Sequence, residues 1–151
     1  MDGYDSDLSL LFRARTQLLA LPLTHVIETM RPLPIEPLAG APPYVRGISV
    51  IRGEPVPVVD VARLLCGDES APSRLVTIAV GDRKVALTVD SVLGVRAVPA
   101  GSFQALPPLL EGVDLVSAIG ILDAELMLVL QGARLLPDDF WAALDAPERW
   151  A

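Results

Sequence analysis

Few residues in this chain are of types and spacings that do chemistry, and they are scattered. His25 is the only histidine and Cys66 the only cysteine among 151 residues, so neither has the His or Cys neighbours of a metal site. Together they have the parts of a thiolate–imidazole nucleophile, but nothing in the context of either activates it. Asp138-Asp139 looks like a paired carboxylate, yet it stands where a helix start favours negative charge. G-x-S-x-G, H-E-x-x-H, a Walker loop and the dinucleotide glycine fingerprint are all missing from the sequence. No catalytic residue, metal ligand or cofactor is therefore expected. What remains is recognition chemistry: Arg52-Gly53 between two apolar runs, with Glu28 ahead of it. An arginine held on a tight turn offers a planar fork of donors suited to a carboxylate or to a partner's helix end.

Composition narrows the partners. With 52% apolar and 21% charged residues, the chain has enough apolar surface to fold as one domain. A net charge of -7 opposes binding to nucleic acid or to anionic membrane surfaces. The single cysteine excludes an intrachain disulfide and fits a reducing compartment. The acidic start, Met1 to Asp5, lacks the basic and apolar regions of a signal peptide, and no apolar run approaches the roughly 18 residues of a membrane helix. The expectation is a soluble cytoplasmic protein without direct membrane insertion.

An internal duplication supplies the elements that position these residues. A shift of 66 brings Ala20-Leu21 onto Ala86-Leu87 and Val26 onto Val92. A shift of 71 further on brings Val45, Ile48, Glu54, Val58, Ala62, Arg63, Leu64 and Leu65 onto identical residues, Val116 through Leu136. The five-residue difference falls in the loops Arg31–Tyr44 and Ala97–Leu115. The repeats are about 10–65 and 76–136, within one domain of 8–137, followed by a helix and tail over 138–151.

Within a repeat the pattern reads mostly as strands. Ser9–Arg15 and Gln17–Leu23 form a hairpin, repeated at Leu75–Val80 and Lys84–Val89 around Gly81-Asp82. Thr24 and Asp90 are then expected to cap single helical turns, with Gly94 ending the second. Two more strands follow, Tyr44–Ile51 and Glu54–Val59, with counterparts at Ile119–Leu122 and Leu126–Leu130. Asp60 is read as the cap of a short helix, Val61–Cys66, ended by Gly67. Asp138 is read as the cap of a terminal helix with Phe140, Trp141 and Leu144 on one face. Pro55 and Pro57, two apart, leave one lateral edge of their strand unable to pair fully. Each unit is too small to hide its own apolar face, so the units must pack together.

Differences between the copies mark candidates for function. Arg63/Arg134 and Glu54/Glu125 are shared and read as structural. Arg52-Gly53 faces Asp123-Ala124 in the other copy, a change of sign, and Glu28 faces Gly94.

The run Val45-Arg46-Gly47-Ile48-Ser49-Val50-Ile51-Arg52-Gly53-Glu54-Pro55-Val56-Pro57-Val58-Val59-Asp60-Val61 resembles the signature of the CheW family of chemotaxis coupling proteins. The shared pattern is a glycine, a short strand, Leu-Arg-Gly, then Pro-Val-(Ile/Val)-Asp-Leu, and the likeness extends from about Leu8 to Pro137. Val50 stands where the family commonly has asparagine, Ile51 where it has leucine, and Val61-Ala62-Arg63 at its Leu-Arg. The resemblance implies a mainly β fold of two intertwined five-stranded SH3-like β-barrels around a shared core, with short helices and a C-terminal helix. It implies a non-enzymatic adaptor joining the chemoreceptor cytoplasmic tip to the regulatory domain of the histidine kinase CheA, with self-association in array rings. In the receptor-binding region it places Arg52 and Glu28, with Val26 and the strand Val85 to Val89, Leu87 included, lining a groove between barrels and Gly53 forming the motif turn; no kinase-contact residue follows from it. The competing reading is a regulatory module with a small ligand held between the barrels.

Overall fold

The computed structural model describes residues 8–67, 73–98, 103–104, 116–131, 136 and 138–145. The opening hairpin is β1 (Leu8–Ala14) and β2 (Gln17–Pro22), and a short 3-10 turn (Leu23–His25) leads into β3 (Val26–Met30). Then come β4 (Val45–Ile51), β5 (Glu54–Asp60) and α1 (Val61–Cys66). The second repeat contributes β6 (Arg74–Val80), β7 (Arg83–Val89), β8 (Ser91–Ala97), β9 (Phe103–Gln104), β10 (Val116–Leu122), β11 (Glu125–Leu130) and α2 (Asp138–Asp145).

The repeats do not fold separately. One sheet has the order β8-β1-β2-β11-β10-β9, the other β3-β6-β7-β5-β4. Each is built on the opening hairpin of one repeat and completed by the later strands of the other. The exchange obeys the duplication: β2 runs parallel to β11 with Ala20 opposite Val129, and β7 runs parallel to β5 with Ala86 opposite Val58. The expected intertwining is present, with one strand more than five in the first sheet, the two-residue β9.

Alternate residues of each strand explain why the runs are so apolar. Leu10, Phe12, Leu19 and Leu21 of the first sheet meet Val76, Ile78, Val85 and Leu87 of the second in a shared core. Residues between them point the other way: Leu11, Leu18, Ala20, Met127 and Val129 fill the first sheet's own interior. Ile51, Val56, Val58, Leu75 and Ala86 fill the second's. Strands buried on both faces cannot alternate apolar with polar, so they read as continuous hydrophobic stretches.

Two expected helical turns are corrected. Thr24 caps nothing: the 3-10 turn follows Pro22 without a side-chain cap, and Thr24 lies exposed inside it. After Asp90 there is no helix at all, because β8 pairs along β1 from Leu8–Ala97 to Arg13–Ser91 and takes up the backbone groups a helix would use. Gly94, at φ +118, sits at the bulge in that ladder rather than at a helix end. Asp90 instead accepts a 2.7 Å hydrogen bond from the Arg15 backbone N–H, bracing the β1–β2 turn.

Asp60 does cap α1, its Oδ1 accepting the Arg63 backbone N–H at 3.1 Å, and Gly67 ends the helix in the left-handed region at φ 78. Its other oxygen takes Arg46 Nη1 at 3.0 Å. The prolines act as expected: the β5–β7 ladder begins only at Val58, just past Pro57, whereas β4 pairs with β5 from Glu54 to Val59. In α2, Phe140 and Leu144 are buried and Trp141 is half-buried, stacked under Arg83 at 4.7 Å. Expectations for Arg134 and for the Cys66 side chain lie outside the described residues.

Because each sheet needs both repeats, fragments 1–67 and 68–151 should each lack a cooperative unfolding transition and recover one when mixed. Circular dichroism melts of the separate and mixed fragments check this. Replacing buried Asp60 with alanine should cost about 1–3 kcal/mol in urea denaturation, and Asp60→Asn, which keeps the cap, less.

Candidate functional site

The β4–β5 connection is a two-residue turn, Arg52-Gly53, closed by the pairing of Ile51 with Glu54. Both central residues have positive φ, 53° at Arg52 and 78° at Gly53, as in the hairpin turns whose twist matches the strands. Glycine meets that demand freely. Arginine does not, since its Cβ crowds the backbone there. The sequence reading assigned no backbone constraint to Arg52; the structure gives it one.

Glu28 of β3 holds the arginine in this conformation. Arg52 Nε donates to Oε2 at 3.1 Å and Nη2 to Oε1 at 2.7 Å, a two-pronged pair. The Arg52 side chain is 71% exposed while Glu28 is 27% exposed, so the carboxylate is the anchor and the guanidinium is on display. Hydrogen bonding from Arg52, its charge and that of Lys84 hold the Glu28 carboxyl below its ordinary value, against partial burial. Lys84 itself donates to Glu54 at 3.1 Å, so opposite charges alternate around the turn.

The other sheet repeats this device with the charges exchanged. Asp123 and Ala124 turn between β10 and β11 at φ 51° and 65°, and Arg96 of β8 grips Asp123 through Nη1–Oδ2 at 2.7 Å and Nη2–Oδ1 at 3.2 Å. The change of sign at the turn is thus compensated from β8, the strand at the far edge of the sheet. Sequence comparison missed Arg96 because it matches Met30, not Glu28; the signal was an unmatched basic residue on the strand beside the turn. A third pair, Arg13 with Glu125 at 2.7 and 2.9 Å, ties β1 to the start of β11. Hydrogen bonding from their arginines lowers Asp123 and Glu125 as well.

The remaining candidates divide by burial. Gly53 is exposed on the turn, and Val26 is half-buried at the start of β3. Val85 and Leu87 are corrected: both are fully buried in the shared core and line no open groove. Their strand faces inward because β7 lies between β6 and β5 in its sheet. Exposed apolar residues include Val50, Ile121 and Leu126, the last two cross-strand neighbours that the sequence reading did not single out. Among the described residues no group of three or more His, Cys, Asp or Glu side chains is placed to hold a metal ion, and no helix is long and apolar enough to cross a membrane.

The family model of the CheW-like domain matches residues 9–140. Among curated proteins, the chain is 33% identical over 104 residues to protein FrzA of Myxococcus xanthus, covering 67% of this chain and 64% of that protein. It is 27% identical over 110 residues to the chemotaxis protein CheW of Treponema pallidum (strain Nichols), covering 68% of this chain and 64% of that protein. The alignments thus span a little under two thirds of these relatives' lengths. Among solved structures, scaffolding protein TtCheW from Thermoanaerobacter tengcongensis superposes with a TM-score of 0.78 at 22% identity, over 86% of this chain and 92% of that one.

Arg52→Asn, which suits a left-handed turn better, should melt at or above the wild-type temperature although it loses the pair with Glu28. The lowered carboxylates contribute stability that is present above their ordinary values and fades as pH falls through their depressed ones. Glu28→Gln should therefore match wild type in pH dependence above about pH 5 and lose stability less steeply below 4.5, Glu28's ordinary value. Urea titrations from pH 3 to pH 7 check both the sign and the window, and the effect is small because the pair is exposed.

Proposed function

The chain belongs to the CheW-like domain family, and we propose that it is a non-catalytic adaptor coupling chemoreceptors to the histidine kinase CheA in a chemosensory array. The observation that carries this reading is the Arg52 guanidinium, displayed on a turn that Glu28 makes rigid. Glu28 engages two of its five N–H groups, and this largely exposed guanidinium has further donors for a carboxylate or the carbonyl end of a receptor helix. Val26, half-buried on the same strand as Glu28, adds an apolar contact.

The adaptor acts by geometry. One face grips the receptor tip, another the kinase regulatory domain, and receptor state shifts the kinase equilibrium through contacts that differ by about 1–3 kcal/mol between states. The exposed pair Ile121 and Leu126 supplies apolar surface for the kinase or for further copies in array rings. The protein would work at the cytoplasmic side of the receptor array without entering the membrane. A small ligand between the two sheets has no support, since Phe12, Leu19, Leu21, Val85 and Leu87 fill that space.

The charge-exchanged pair of the other sheet suggests the decisive experiment. Purified chain is tested for binding to a CheA regulatory domain and a receptor tip fragment as wild type, Arg52→Glu, and the exchange Arg52→Glu with Glu28→Arg. Both partners should bind the wild type, and both variants should bind receptor at least tenfold more weakly, with kinase affinity kept. Recovery of receptor binding in the double exchange would mean that the pair only shapes the turn. Failure of the wild type to bind either partner would overturn the adaptor reading.

A further inference from the structure

The segment between β3 and β4 crosses the outer edge of β4, and its position depends on Gly47. Glu36 and Ile48 exchange both backbone hydrogen bonds, each at 2.8 Å, forming a single antiparallel bridge. The buried Ser49 hydroxyl donates to the Pro34 carbonyl at 2.7 Å. Leu33 and Ile35 pack onto the interior cluster of that sheet, against Ile51, Val56, Val58, Leu75 and Ala86. Gly47 makes the approach possible twice over. Its φ is +145°, and an added Cβ would overlap the Glu36 carbonyl oxygen and lie 2.7 Å from its carbon and 3.0 Å from Ile35 Cγ2.

β4 is the last strand of its sheet. Without this segment it would present a row of unpaired N–H and C=O groups beside an opened apolar cluster, which is the template for adding a strand from another molecule. The segment itself cannot relay such growth. It carries Pro32, Pro34, Pro37, Pro42 and Pro43, so five of its 14 residues have no N–H to give and a regular further ladder is broken. The other sheet caps the corresponding edge at the corresponding place, Gln104 pairing with Ile119 and Phe103 with Gly120. There Ala118 replaces Gly47. Two edges closed by different sequences at one register position point to closure as the shared requirement.

We propose that residues 31–44 are a built-in edge cap, seated by Gly47, which prevents β4 from adding a strand of a second copy of this chain. Its occupant when opened is another molecule of the same protein, because the exposed sheet would be complementary to an identical edge in antiparallel pairing.

The test uses the full chain with two independent variants. Gly47→Ala removes the space for Glu36, and Glu36→Pro removes the N–H that reaches Ile48 while leaving β4 untouched. Hydrogen exchange at the Ile48 amide and molar mass by light scattering are followed against concentration. In dilute solution at least one folded variant should exchange Ile48 a hundredfold or more faster than wild type, with β6–β7 amides unchanged. The same variant should associate at least tenfold more tightly than wild type and regain Ile48 protection in the associated species. Faster exchange with wild-type mass at every concentration would overturn the proposal, leaving the segment a mere covering. Unchanged Ile48 protection in a folded Gly47→Ala chain would also overturn it, since the Glu36 carbonyl that accepts from Ile48 would then not need Gly47 to be seated.

Discussion

Everything in this molecule depends on a core that two sheets share. Leu10, Phe12, Leu19 and Leu21 pack against Val76, Ile78, Val85 and Leu87, and the residues between them fill each sheet's separate interior. A strand buried on both faces has no side left for polar residues, so function is driven to the edges and turns. The exchange of hairpins between repeats follows from the same demand. A hairpin alone is too small to be stable, and completing it with strands from the other repeat buries more surface and builds both halves into the same two sheets.

The hairpin turns are where charge is allowed. Each sheet bends its late hairpin through two residues of positive φ and pins the first to the strand at the far edge of the same sheet with a two-pronged ion pair. The geometry is common to both and the polarity is reversed, so the two sheets offer opposite charges on similar turns. That arrangement gives an adaptor two distinguishable faces without two different folds. It also separates the roles within a pair: the less exposed member, Glu28 or Arg96, holds, and the more exposed one, Arg52 or Asp123, is presented.

The edges are the other place where polar groups collect. In both sheets the outer strand of the late hairpin is met by one short stretch of chain at equivalent positions, Ile48 and Ile119. Asp60 does comparable service at the opposite end of β5, joining a helix cap to Arg46 while almost wholly buried. Backbone groups that the intertwined ladders leave unpaired are thus satisfied by a few specific residues.

What the sequence by itself determined is the part governed by local physics. Strand periodicity, the turns at Arg52-Gly53 and Gly81-Asp82, the Asp60 cap with Gly67 beyond it, and the duplication all depend on residues close along the chain. The motif around Arg52 and the likeness of Glu28's neighbourhood to a known family were legible for the same reason. Only the tertiary structure decided which sheet each hairpin joined. Pairing with β1 turned the segment after Asp90 into a strand where capping residues favoured a helical turn. It also moved Val85 and Leu87 from an imagined groove to the centre of the core, since which face of a doubly buried strand meets a partner depends on distant strands. The Arg96–Asp123 counterpart and the reason for Gly47 were hidden likewise: the first joins residues 27 apart on elements that are not paired with each other. The second is a steric demand set by Glu36, whose position no local pattern records.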